Sequence, residues 1–153
     1  MKANNILLEV KKKNLMREQK DGGDIDTNET KGGSGFKEMV SILLHSQTQV
    51  HIFHLQTKSY SEHKALQGYY EGIDALVDGI IESYQGKYDV ITKYNSVKNV
   101  DYQSNEQVIK YFKELDTMID KNRKEVKESF IQNQIDTVQE LINSTVYKLR
   151  FLK

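Results

Sequence analysis

The stretch YSEHKALQGYYEGIDALVDGIIESY, residues 60–84, has the periodicity of a long helix. With about 3.6 residues per turn, its large apolar side chains recur on one face, as expected for a helix that packs against a bundle core. A face of small residues and a face of acids lie on either side of this apolar face. The apolar face consists of Leu66, Tyr70, Ile73, Val77, Ile80 and Tyr84, the small-residue face of Ala65, Gly68, Gly72, Ala75, Gly79 and Ser83, and the acidic face of Glu71, Asp74, Asp78 and Glu82 with Gln67.

The helical period extends through most of the chain and predicts three further helices. The first covers roughly residues 36–55, the third starts near Ser104 and the fourth near Ser129. Capping-box spacings, S-x-x-E at Ser59 and S-x-x-Q at Ser104, mark the starts of the second and third helices, and Gly86 marks the end of the second. Residues 87–103 form a long connection with at most one short helix. The pattern predicts an all-α fold, an antiparallel four-helix bundle.

Residues 1–34 differ in composition from the rest of the chain. The run KDGGDIDTNETKGGSG, residues 20–35, cannot bury enough apolar surface to fold. We therefore predict a flexible tail and linker over residues 1–34 and the bundle over residues 35–153. The tail either binds phosphates or acidic surfaces through a basic cluster, or is a solvated tail with a short docking segment. The cluster is Lys11, Lys12, Lys13, Arg17 and Lys20.

The overall composition excludes several classes of site. The chain has no Cys, which excludes disulfides and thiolate metal sites, and no Pro, which favours uninterrupted helices. Its 22 basic and 22 acidic residues balance, so no overall field draws it to nucleic acid or to a membrane. No apolar run approaches the roughly 20 residues of a membrane span. We expect a soluble, cytoplasmic protein.

The small-residue face predicts a close contact. Glycine in a helix interior costs up to about 1 kcal/mol relative to alanine, so we expect another backbone to approach this face. Because the face points away from the predicted core, the expected partner is another subunit, in a two-fold dimer through the second helix. The acidic face beside it is either a solvated surface or, at the edge of that interface, a cation-binding surface.

Three of the four histidines fall within thirteen residues on the first predicted hairpin: His51, His54 and His63. They are either hydrogen-bonded core residues or metal ligands, and imidazole with carboxylate suits iron, zinc or manganese. His63 and Asp78 are about 22 Å apart along one helix, so they cannot share a metal ion within one chain. If two copies of this helix pack antiparallel about a two-fold axis, His63 of one copy approaches Asp78 and Glu82 of the other.

This arrangement resembles the Dps proteins, the mini-ferritins that protect DNA in starved cells. Their ferroxidase ligands are a His, a second His twelve residues later, an Asp fifteen residues after that, and a Glu four further on. These intervals are matched here by His51, His63, Asp78 and Glu82. The family's His-Trp-Asn triplet is better matched at His54 than at His51, so either residue could be the ligand from the first helix. The segment HLQTKSYSEHKAL, residues 54–66, resembles phage-encoded members of the family.

The resemblance implies a ferritin-like bundle with a ferroxidase site between subunits. Fe(II), di-iron or mononuclear, would be oxidised by peroxide or more slowly by dioxygen, and Zn or Mn could substitute. The ligands would come from both subunits of the dimer, with Asp74 extending the acidic path: His63 and His51 or His54 from one, Asp78 and Glu82 from its mate. The resemblance further implies a homo-oligomer, up to a dodecamer, DNA binding by the tail, and a location in the cytoplasm, that of the host if the protein is phage-encoded.

Two interpretations without iron chemistry compete with this one. The chain could be a non-enzymatic assembly protein, with the same dimeric bundle and solvated acids, or a DNA-binding protein that uses its tail. Nucleophilic catalysis has little support, since there is no Cys and no Ser-His-acid pattern. The Gly pairs at 22–23 and 32–33 lack the Lys and Ser/Thr that follow in a phosphate-binding loop.

Overall fold

The computed structural model describes residues 33–152, and within this range the fold is all-helical. The helices are α1 (Ser34–Gln56), α2 (Tyr60–Lys87), α3 (Asn105–Asn122) and α4 (Ser129–Phe151), with a 3₁₀ turn at Arg123–Glu125. This confirms the predicted all-α class and its four helices. None of these helices has an apolar stretch of the length that a bilayer crossing requires. The tail predicted over residues 1–34 lies outside the described residues except for its last two.

The large apolar side chains of all four helices meet in one core. On α2 the core face is largely the predicted one, but the prediction is wrong at Tyr70, which is half-buried, whereas Tyr69 is fully buried. The Tyr69 hydroxyl shares a 2.8 Å hydrogen bond with Ser46 Oγ of α1, and burial raises the pKa of Tyr69. The core includes Leu66, Ile73, Val77, Ile80 and Tyr84 of α2, Phe36, Met39, Leu43, Val50 and Phe53 of α1, Val108, Phe112, Leu115 and Ile119 of α3, and Ile131, Ile135, Val138, Ile142 and Leu149 of α4.

Local signals placed the helix starts correctly. Ser59 Oγ accepts the Glu62 N–H at 3.4 Å, and Ser104 Oγ accepts the Gln107 N–H at 3.2 Å, so both predicted caps are confirmed. The helix α2 continues one residue past Gly86. Residues 88–104 contain no helix, so the optional short helix of the connection is absent there.

A carboxylate distant in sequence caps the start of α1. Glu125 Oε2 accepts the Phe36 N–H at 3.0 Å, at a helix end where backbone donors otherwise lack partners. A Cβ atom at Gly35 would lie 2.5 Å from Glu125 Oε1 and 2.8 Å from Asn122 Oδ1. The missing side chain at position 35 is therefore what gives the carboxylate access to the helix end.

We predict that Gly35→Ala lowers the free energy of unfolding by about 1–2 kcal/mol, because the added methyl group displaces Glu125 from the Phe36 N–H. Gly68→Ala is the matched control, since its Cβ would meet nothing closer than Lys148 Nζ at 4.0 Å. That control should gain up to about 1 kcal/mol from helix propensity. Urea unfolding midpoints measure both changes. A midpoint for Gly35→Ala at or above that of wild type would contradict the capping role of Glu125.

The small-residue face of α2 lies against α4 of the same chain at Gly72 and Gly79. The atoms nearest to an added Cβ are Leu141 Cδ2 at 3.4 Å from Gly72 and Gln134 Nε2 at 3.6 Å from Gly79. These are side-chain atoms at ordinary van der Waals distances. The expectation that this face points away from the bundle is therefore wrong at Gly72 and Gly79, because α4 lies there. The two-fold dimer through α2 itself stays a prediction.

The connection over residues 88–104 is held to α1 by side chains that bond its backbone. The Gln49 amide pairs with Val100 twice: Nε2 donates to the carbonyl and Oε1 accepts the N–H, both at 2.8 Å. Gln56 Oε1 accepts the Tyr102 N–H at 2.6 Å. These bonds give an extended segment the partners that a neighbouring strand would otherwise supply.

Further toward the start of α1, the same side of the helix bonds earlier residues of the connection. Ser41 Oγ accepts the Asn95 N–H at 3.1 Å, and His45 Nε2 lies 2.7 Å from Asn99 Oδ1. Because a carbonyl oxygen only accepts, His45 Nε2 carries the proton in this bond. Burial lowers the pKa of His45 below its ordinary 6.5, and the hydrogen bond to Asn99 opposes that shift.

We predict that Asn99→Leu, which keeps the burial and removes the acceptor, lowers the pKa of His45 further, whereas Asn99→Asp raises it. The folded-state pKa lies below the unfolded one, so the unfolded chain binds the extra proton and the stability contributed by His45 falls as pH drops through about 6.5. A ¹H NMR titration of the imidazole resonances measures these values. An unchanged pKa in both variants would show that Asn99 does not act on His45.

Candidate metal site at the first hairpin

Two histidines join α1 to α2 by a reciprocal pair of hydrogen bonds. His54 Nδ1 donates to the backbone carbonyl of His63 at 2.8 Å, and His63 Nδ1 donates to that of His54 at 3.1 Å. Their rings are stacked, with centroids 3.6 Å apart and planes inclined by 24°. Since each carbonyl only accepts, each neutral ring carries its proton on Nδ1 and its lone pair on Nε2.

His51 and Tyr70 complete this aromatic cluster. His51 stacks on Tyr70 with ring centroids 4.3 Å apart, and its own centroid is 5.8 Å from that of His54. Tyr70 also packs edge-on against His54, at 5.0 Å. Tyr70 thus contacts two of the histidines predicted on α1. Of these, His54 is buried and bonded to His63, whereas His51 is exposed.

Glu62 ties the hairpin to the connection, a role that the sequence did not predict. Glu62 Oε2 accepts bonds from Thr57 Oγ1 at 2.6 Å and from the Tyr102 hydroxyl at 2.8 Å. Burial, together with the bond to this carboxylate, raises the pKa of Tyr102. In the sequence Glu62 stood out only as the last residue of a capping box.

The acids of α2 lie on the surface. Asp74, Asp78 and Glu82 are exposed, as is Glu71, which accepts a hydrogen bond from Gln67 at 2.8 Å. Within residues 33–152, none of these four carboxylates forms a salt bridge.

The described part of a single chain brings no three His, Cys, Asp or Glu side chains into a metal-binding group. The histidines are paired with each other, and the acids stand apart on α2. Any site that uses both sets therefore needs a second copy of the chain. The basic residues predicted to contact nucleic acid, Lys11, Lys12, Lys13, Arg17 and Lys20, lie outside the described residues.

We predict that His54→Ala and His63→Ala each lower the free energy of unfolding by about 1–3 kcal/mol, because each removes a partly buried hydrogen bond together with the stacking contact between the rings. The double variant should lose less than the sum of the single losses, with a coupling energy of about 0.5–3 kcal/mol. His51→Ala, at an exposed position, is the control and should change stability less. Urea unfolding of the four variants measures the cycle. Strict additivity would contradict the stacking contact between the two rings, because each hydrogen bond ends on a backbone carbonyl that the other alanine variant keeps.

Comparison with known proteins gives one family match. Residues 54–149 match the model described as "Family of unknown function (DUF5856)". No curated protein and no solved structure matches the chain significantly. The match begins at His54 and takes in α2, the connection, α3 and most of α4, which is more than half of the sequence. The chain therefore belongs to the DUF5856 family.

Proposed function

We propose that the helices form a ferritin-like antiparallel bundle in which residues 88–104 are the long connection. The contacts between α2 and α4 support this topology, since Gly72 lies against Leu141 and the later Gly79 against the earlier Gln134. Asn105 Nδ2, at the start of α3, donates to the Leu149 carbonyl near the end of α4. In this topology α2 and α3 run in the same direction, so their connection must cross the length of the bundle.

The length of the connection fits that requirement. A helix of 23 residues such as α1 is about 34 Å long. Residues 88–104 reach up to about 55 Å when extended, enough to return along the bundle with slack at both ends. Their attachment to α1, from Asn95 at Ser41 to Tyr102 at Gln56, follows that path.

We propose that two copies of the bundle bind Fe(II) between them. The ligands are His54 and His63 of one copy and Asp78 and Glu82 of the other. The observation that carries this proposal is the state of the two imidazoles. Metal-bound histidines usually donate their other ring nitrogen to a carbonyl or carboxylate, which fixes the tautomer and aims the ligand. Both rings here already do so through Nδ1 and keep an Nε2 lone pair for a metal ion.

The acidic face supports the second half of the site. Asp74, Asp78 and Glu82 recur every four residues, and like charges at that spacing repel mildly. Pairing this face with the same face of a second copy would double the number of carboxylates in the contact. A divalent cation offsets that repulsion and uses the oxygen ligands that iron and manganese accept. Association through α2 should therefore require metal.

Fe(II) is the substrate in this proposal, with peroxide as the preferred oxidant. Two Fe(II) ions give up one electron each, and one peroxide molecule takes up both. Asp78 and Glu82 hold the cations, while Glu71 and Asp74 extend the acidic path away from the histidines. Zn(II) or Mn(II) would occupy the same ligands and serve as probes.

The test is an anaerobic Fe(II) titration followed by peroxide, read by absorbance. We expect stoichiometric binding and rapid oxidation in the wild type and loss of both in Asp78→Asn. Asp89→Asn is the matched control, because Asp89 is an exposed carboxylate of the connection that, among residues 33–152, bonds only the neighbouring Val90 N–H. It should behave as wild type.

Light scattering provides a second readout of the same site. The mass should rise when Zn(II) is added and fall again with EDTA in the wild type, but stay constant in Asp78→Asn. Equal binding and oxidation in the Asp78 and Asp89 variants would mean that the acidic face is solvated. The non-enzymatic interpretation of the bundle would then be favoured.

A further inference from the structure

The helix α4 presents a fully exposed face on the side opposite its core residues. The buried side chains Ile142, Thr145 and Leu149 define the inner side of the helix. On the opposite side, exposed residues recur every three or four positions. We call these residues the α4 outer face: Asp136, Thr137, Glu140, Asn143, Ser144, Tyr147, Arg150 and Phe151.

The C-terminal half of the α4 outer face is aromatic and basic. Tyr147 is 55% exposed and Phe151 is 60% exposed, and their ring centroids lie 5.6 Å apart. The Arg150 guanidinium lies over the Phe151 ring, 4.7 Å from its centroid. Tyr, Phe and Arg are the residue types enriched in the centres of protein interfaces. The rings of Tyr147 and Phe151 therefore form an aromatic surface that is exposed to water.

The N-terminal half of the same face is acidic. Glu140 is exposed, and Asp136 keeps a side chain that is 61% exposed although its Oδ1 accepts a bond from Arg123 at 2.6 Å. Between the two halves lie Asn143 and Ser144, which are small and uncharged. The face thus changes from negative to positive along the helix, with a neutral middle that permits close approach.

We propose that two copies of the chain pack through their α4 outer faces, antiparallel about a two-fold axis that passes between Asn143 and Ser144. This reversal lays the basic, aromatic half of each copy on the acidic half of the other. Arg150 of one copy then lies between Asp136 and Glu140 of the second copy. A parallel arrangement would instead set like charges against each other, so charge selects the antiparallel one.

The length of the contact between the two helices indicates how tightly the two copies bind. From Asp136 to Phe151 the face is about 22 Å long. One helix from each copy gives an interface at the small end of the usual range, so the dimer should form and dissociate with concentration. The chain's zero net charge adds no long-range repulsion between copies. No residue of the acidic face of α2 takes part, so this contact does not depend on metal.

A cysteine cross-link tests the position of the axis. The chain has no Cys, so any disulfide formed by a single introduced thiol joins two copies. Ser144→Cys lies beside the proposed axis, and Thr117→Cys, at an exposed position of α3, is the control. Under mild oxidation with EDTA present, which removes association through metal, Ser144→Cys should form a disulfide-linked dimer while Thr117→Cys stays without a covalent link. Equal cross-linking of the two variants would overturn the proposal.

A charge exchange tests the register. In sedimentation equilibrium with EDTA, Arg150→Glu and Glu140→Arg should each weaken the dimer about tenfold or more. The double variant restores opposite charges in both halves and should recover an affinity within a few-fold of wild type. A wild type that stays monomeric throughout a concentration series, or a double variant as weak as either single one, would refute the α4 contact.

Discussion

The first hairpin depends on the reciprocal bonds between His54 and His63. Each ring satisfies the backbone carbonyl of the other, so the last turn of α1 and the first turn of α2 are fixed against each other. The same bonds leave an Nε2 lone pair on each ring. They also place Tyr70 beside the imidazoles and bring Glu62 within reach of the connection. One pair of side chains therefore sets the register of two helices and the chemistry that their surface offers.

The helix α1 binds the connection through polar contacts, in addition to packing its apolar side chains in the core. An extended segment without a sheet partner must find other groups for its N–H and C=O atoms. Gln49 supplies both for Val100, and it can do so because a primary amide presents a donor and an acceptor side by side. The connection is thus ordered without any regular structure of its own.

How much of this could be predicted from the sequence differs by feature. The helices and their caps could be predicted, because hydrophobic periodicity and the capping-box spacing from Ser59 and Ser104 are local signals. Which of Tyr69 and Tyr70 is buried in the core could not be predicted. The two aromatic residues are adjacent in sequence and are distinguished only by their partners on α1, which are Ser46 for Tyr69 and the histidines for Tyr70. The position of α4 against Gly72 and Gly79 was missed for a similar reason. Period alone shows which residues share a face but not which helix covers it.

The attachment of the connection to α1 was not predicted, although the side chains of α1 that bond it form a pattern in the sequence. Ser41, His45 and Gln49 recur at intervals of four, which places them in a polar row along one side of α1. What they bond is an irregular segment that has no period to match against that row. One glycine of α2 has no structural explanation. An added Cβ would fit at Gly68, and no contact in the described residues requires glycine there.

The two proposed contacts between copies obey opposite electrostatic rules. The acidic face of α2 carries one sign of charge, so it repels its own copy and meets it only when a cation intervenes. The α4 outer face carries both signs in sequence, so an antiparallel copy complements it without any ion. Salt should weaken the second contact, whereas removal of metal should abolish the first. Because the two faces belong to different helices, their two-fold axes do not coincide, and the two contacts together would build an assembly larger than a dimer.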